Sequence, residues 1–220
     1  MFHPNDNPLD RGWVGRIDGD RMLHLAAQTL QSFFLVGGGS RVHAEYPLAD
    51  VTLLVPVQYP PTVRLFDESG SFRFANATAV VGPNVPVAGT HLSALARIAV
   101  VIGAGGEIGG TTAMLEWRDP AEQLDVKQTD FGIVLGPVVV TPDETAGASL
   151  ACRLSAGERI VEATPEEFSW VEAIALAGHR TTLRPGDVIG GPPVVVLDGV
   201  EGDVEFEVEG VGTLACPVLR

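Results

Sequence analysis

Short apolar runs rich in Val, Ile and Leu recur along the chain, each closed by Gly, Pro, Asn or Asp. β-branched residues suit a pleated strand and the closing residues suit turns, so the pattern predicts a strand-and-turn protein. Strands are expected at Thr62–Leu65, Ala79–Val81, Leu95–Ile102, Ile133–Val140, Leu150–Leu154 and Arg159–Glu162. Further strands are expected at Asp187–Ile189, Val194–Leu197, Val204–Val208 and Gly212–Cys216. Upstream, Trp13–Ile17 reads as a strand entering a hairpin turn at Ile17–Asp20, because Asp-Gly tolerates the positive φ of such a turn. Met22–Phe34 reads as a strand that passes into a helix, stopped by Gly37–Gly39. Helical spacing is convincing in one place, ATPEEFSWVEAIALAGHR. There Thr164 is the expected N-cap, Pro165 the first helical residue and Glu167 the partner in a capping box. Phe168, Val171, Ile174 and Ala175 form the expected apolar face, and Gly178 the stop.

Tyr59-Pro60-Pro61 disfavours helix and marks the approach to the main body. Two units are expected: a small N-terminal lobe over 1–50 and a larger domain over 51–220. The fold class expected is mainly β (α+β).

Composition narrows the function classes. The chain has 220 residues, a formal net charge of -14 and 45% hydrophobic residues, enough for a sizeable core. An acidic chain without clustered Lys and Arg is a poor partner for nucleic acid. No apolar run approaches the roughly 18 residues of a membrane helix, and MFHPNDNPLDRGW has neither the basic start nor the apolar segment of a signal peptide. Cys152 and Cys216 lie in SLACRL and TLACPVL, outside any metal-ligand spacing. They are expected to be buried free thiols, which suits a reducing cytoplasm.

The stretch VVIGAGGEIGG, Val100 to Gly110, offers a test of dinucleotide binding. Gly103, Gly105 and Gly109 give G-x-G-x-x-x-G, looser than the G-x-G-x-x-G turn that seats pyrophosphate on a helix N-terminus. It stands mid-chain among strands, without the alternating helices of a nucleotide-binding sheet. A β-hairpin running into TTAMLEW is the better reading.

Four segments in order carry a resemblance: DFGIVLGPVVVTPDE, LSAGERIVEATPEEFSWVEAIALAG, TLRPGDVIGGPP and GDVEFEVEGVGTL. With VTLLVPVQYPPTVR, FANATAVVGPNVPV and the hairpin GRIDG upstream, the sequence resembles the fumarylacetoacetate hydrolase family over nearly its whole length. The resemblance implies a mixed β-sandwich roll, usually a homodimer, that cleaves, isomerises, hydrates or decarboxylates small 2-oxo or 1,3-diketo acids. It also implies a divalent cation polarising the keto-enol oxygens.

The implied site residues depart from the family pattern. The two carboxylates of the family's Glu-x-Glu fall at Leu95 and Arg97, neither able to bind a cation. The third ligand falls at Glu116 in LEW, or at Met114 in an alternative register. The family lysine matches Lys127. The Thr-Gly-Thr-Pro turn is Gly190-Gly191-Pro192-Pro193, without hydroxyls. The lid histidine has no counterpart in VRLFDESGSFRFAN; His91 and His179 have no motif around them. Asp67-Glu68 is a candidate base if this loop covers the pocket, against a solvated acidic loop. No cofactor is therefore expected, with Mg²⁺ or Mn²⁺ on Glu116 the lesser alternative. Arg97, paired with Glu116 and joined by Lys127, would stand in for the metal's charge toward a small oxo acid. The competing expectation is an Arg97–Glu116 pair that fills a dead site in a non-catalytic subunit partnering an active homologue. A residual metal-dependent hydrolase is the third.

Overall fold

The computed structural model describes residues 1–146 and 149–219. The N-terminal segment contains β1 (Phe2–Pro4), β2 (Gly15–Asp18), β3 (Arg21–Leu25), helix α1 (Leu30–Leu35), β4 (Val42–Pro47) and β5 (Val51–Leu53). β2, β3 and β4 form an antiparallel sheet, and β1 pairs with β5. The β2–β3 hairpin closes with Asp18 opposite Arg21 and Gly19 at φ 62°, the turn expected from Asp-Gly. Thr29 and Ser32 form a reciprocal capping box at the start of α1. From α1, Phe34 packs with Val63, Leu65, Val101 and Met114, so the N-terminal segment covers one face of the main sheet.

The remaining strands are β6 (Val63–Phe66), β7 (Phe72–Ala75), β8 (Val80–Val81), β9 (Val87–Ala88), β10 (Ser93–Ile102), β11 (Ile108–Arg118), β12 (Ile133–Val140), β13 (Cys152–Ala156) and β14 (Arg159–Ala163). They continue with β15 (Val188–Leu197), β16 (Val204–Val208), β17 (Gly212–Cys216) and β18 (Val218–Leu219). Helix α2 (Pro142–Thr145) follows β12, and α3 (Trp170–Ala177) lies between β14 and β15. The main sheet has the order β7-β6-β15-β10-β11-β12-β8, and a second sheet the order β14-β13-β16-β17. Ala96, Ile98, Leu115 and Trp117 from the first interdigitate with Leu154, Phe206, Leu214 and Cys216 from the second. In β16 the burial alternates, Val204, Phe206 and Val208 inward with Glu205 and Glu207 outward, as a one-sided strand requires. All of β10 is buried: the N-terminal segment packs on one face, and the second sheet together with α3 covers the other. This is the mainly β, mixed sandwich roll anticipated above.

The glycine-rich stretch is a hairpin. β10 runs antiparallel to β11, and Gly105 and Gly106 turn the chain at φ 69° and 83°.

Two local expectations are corrected. Helix α3 starts later than the Thr164–Glu167 box: Ser169 is the N-cap and accepts from Glu172 N. Its inward face is Ala173 and Ala177, with Trp170 and Ile174, whereas Val171 is 80% exposed. Shifting the start redirects every position on the helix, since successive residues differ by about 100° in direction. The second correction is Gly190–Pro193, which is no turn. It runs inside β15, joining the two strands expected at 187–189 and 194–197. Pairing between β10 and β15 shifts register around Arg97, where Pro192 and Pro193 need not donate to a regular ladder.

Candidate functional site

β10 and β11 place Leu95 directly opposite Glu116, and Arg97 opposite Met114. Alternation along each strand puts these four residues on the same face of the sheet. Glu116 is fully buried, and Leu95 and Arg97 are each 5% exposed. Arg97 Nε donates to Glu116 Oε2 at 2.8 Å, and Nη2 lies 2.7 Å from the same oxygen. Arg97 Nη1 donates to the backbone oxygens of Phe66 at 2.7 Å and Gly191 at 2.6 Å. The guanidinium is thus stitched to β6, β11 and β15 together. Gly190 provides the room: a Cβ there would stand 2.9 Å from Leu65 Cδ2 and 3.6 Å from Arg97 Cδ.

A second cation completes the group. Arg73, on β7, donates through Nη2 to Glu116 Oε1, and its side chain is 41% exposed. Both carboxylate oxygens are therefore engaged by guanidinium groups. Burial lowers the Arg97 pKa from its ordinary value; Glu116 opposes that shift, while Arg73 and Arg118 add to it. Arg73 escaped the sequence reading, although a signal was present. The hairpin VRLF-DESGS-FRFA folds with Leu65 opposite Arg73, so Arg73 shares the face of Leu65.

Lys127 stands apart from this group. It sits on the turn Asp125–Gln128 with its side chain 56% exposed, and Nζ donates to Asp130 Oδ2 at 2.8 Å. That hydrogen bond raises its pKa. Among the described residues no hydrogen bond or ion pair links Lys127 to Arg97 or Glu116. Asp67 serves its own turn, accepting from Ser69 N, Ser69 Oγ and Ser71 N. These bonds, led by the Ser69 hydroxyl, hold its pKa below the usual carboxylate value, which makes it a weak base. His91 and His179 are exposed.

The donor set does not fit a divalent cation. Of the three positions that the resemblance assigns to ligands, only Glu116 carries a carboxylate, and two arginines occupy it. A hard cation asks for several oxygen ligands, and the nearby guanidinium charges would repel it. Among the described residues no group of three or more His, Cys, Asp or Glu is placed to hold a metal.

Comparison with known proteins decides the family. The model of the fumarylacetoacetate (FAA) hydrolase C-terminal domain matches residues 72–219, a span that includes Arg73, Arg97 and Glu116. The chain belongs to the fumarylacetoacetate hydrolase family. Among solved structures, this family member is similar to maleylpyruvate hydrolase from Sphingobium sp. SYK-6, with a TM-score of 0.79 and 22% identity over 96% of this chain and 97% of that one. A second structure of that hydrolase, in complex with manganese (II) ion and pyruvate, superposes with a TM-score of 0.78 at 21% identity, covering 96% of this chain and 97% of that one. The 5-carboxymethyl-2-hydroxymuconate delta-isomerase from Mycobacterium smegmatis gives a TM-score of 0.74 at 24% identity, covering 94% of both chains. At these identities the likeness establishes the shared fold. No curated protein matches the chain. Among the described residues no helix is long and apolar enough to cross a membrane.

Proposed function

We propose that this family member is a cytoplasmic homodimer that binds a small 2-oxo or 1,3-diketo acid without a metal ion, its metal-dependent hydrolase or isomerase chemistry lost or altered. The observation that carries this reading is the double engagement of Glu116 by Arg97 and Arg73. Two guanidinium groups on one carboxylate leave a net positive site, and a carboxylate or enolate ligand complements it. Arg97 has committed Nε and Nη2 to Glu116 and Nη1 to two backbone oxygens, so the half-exposed Arg73 is the arginine that meets the ligand. Isothermal titration tests this. Oxalate binds saturably and equally well with Mg²⁺ or with EDTA, and Arg73→Ala weakens it by about tenfold, the effect of one charge-assisted hydrogen bond. Oxalate binding that requires Mg²⁺ or Mn²⁺ overturns the reading.

One observation favours a second reading. The contacts of Arg97 to Phe66 and Gly191 are those of a structural strut. A subunit that keeps the fold for assembly with an active homologue needs only that strut. Absence of oxalate binding, together with stable co-purification with a relative whose Glu-x-Glu is intact, selects it.

A further inference from the structure

We propose that a cavity on the opposite face of β6 is a separate binding site for the phosphate group of a small molecule. β6 alternates: Leu65 faces the core beside Met114, whereas Phe66 packs on the other side with Ile102, Ile189 and Phe168. Arg64 shares the side of Phe66, away from Arg97 and Glu116. There a cavity of about 460 Å³ is lined by Thr62, Arg64, Thr181, Thr182, Arg184 and Asp187. That volume lies within the range of roughly 300–1,000 Å³ usual for small-molecule sites.

Arg64 is the informative residue. It is only 3% exposed, yet its charge is poorly matched. Nη1 donates to the Thr62 hydroxyl, Nε is buried without a partner, and Nη2 has no hydrogen bond among the described residues. The nearest carboxylate oxygen, Asp187 Oδ2, is 3.8 Å from Nη1. Asp187 is engaged elsewhere: Oδ1 accepts from the Thr62 hydroxyl at 2.6 Å and Oδ2 from Arg184 N at 2.7 Å. The rings of Phe74 and Phe72, 5.1 and 5.9 Å from Arg64 Cζ, flank the guanidinium without neutralising it. A buried cation left this way is unfavourable unless a further anion joins it.

The rim of the cavity supplies matching donors. Thr181, Thr182 and Arg184 are exposed, and their side chains make no hydrogen bond or ion pair among the described residues. Two guanidinium groups against one carboxylate leave the cavity with a net charge of about +1, in a chain that is otherwise acidic. Two forked cations and hydroxyls on several sides suit a tetrahedral dianion better than a planar monoanion.

Inorganic phosphate is the probe. Titrated into the full chain at constant ionic strength, it binds one to one with a Kd on the order of a millimolar. Arg184→Gln, at the exposed rim, weakens it about tenfold, and Arg64→Met abolishes it. Arg73→Ala, on the opposite face, leaves it unchanged. Circular dichroism checks that each variant is folded; if Arg64→Met fails to fold, Arg184→Gln decides. No saturable phosphate binding, an affinity unaltered by Arg184→Gln, acetate binding as tightly as phosphate, or loss of binding in Arg73→Ala each overturns the proposal.

Discussion

Glu116→Gln isolates the electrostatics of the buried pair. Glutamine keeps the volume and one acceptor oxygen but removes the charge. Arg97, 5% exposed, would then keep its cation against two backbone carbonyls and no carboxylate. Removing one partner of a buried ion pair costs about 3–5 kcal/mol, because the other charge stays desolvated. The Arg73 contact adds little to this figure: its side chain is 41% exposed, and exposed pairs contribute about 0.2–1 kcal/mol. For a chain of this size each kcal/mol shifts Tm by about 2–4 °C, so Glu116→Gln should lower Tm by roughly 6–20 °C. Arg97→Leu combined with Glu116→Leu removes both charges; such replacements are often neutral or stabilising by about 1–4 kcal/mol. The double variant should therefore be far more stable than Glu116→Gln. Urea unfolding monitored by circular dichroism measures both variants against the native chain. A Glu116→Gln loss below about 1 kcal/mol would refute the reasoning, as would a double variant no more stable than Glu116→Gln.

Four further outcomes are expected. Cys152 and Cys216 are buried and free, and burial pushes each thiol up to about 11. A thiol reagent at pH 8 should label neither in the native protein and both once it is unfolded. Since the unfolded thiols ionise near 9.0 and the folded ones only near 11, stability should fall as pH rises across that window. His24 stacks on Trp13 at 4.5 Å, and burial, then the charge of His43, lowers its pKa below 6.5. A depressed pKa means the unfolded state takes up the proton first, so unfolding should become easier as pH drops below 6.5; thermal melts of His24→Gln against the native chain should show a shallower pH dependence. Gly190→Val should cost about 1–3 kcal/mol by overpacking, because even a Cβ meets Leu65 and Met114 at 2.9 and 3.2 Å, and a chemical melt reads it.

Strand positions and the fold class were legible in the chain because each strand's signal is local. Ile133–Val140, Val204–Val208 and Gly212–Cys216 are strands at the expected bounds. The start of α3 was not legible, because Thr164 and Ser169 both offer a cap and the packing of Ala173 and Ala177 chose between them. Gly190–Pro193 was expected to be a turn from the resemblance to the family's Thr-Gly-Thr-Pro segment, whereas pairing with β6 and β10 draws it into a strand.

By itself the sequence determined the family, the alternating strands and the presence of Leu95 and Arg97 where the resemblance implies carboxylates, since these depend on residue type and order alone. Only the tertiary structure decided which cations share Glu116. Arg73 lies 43 positions from Glu116 in sequence, and Lys127 only 11, yet Arg73 makes the contact. Hairpin register and sheet order bring charges together over distances that chain separation does not report. Coulomb attraction and desolvation act on those distances.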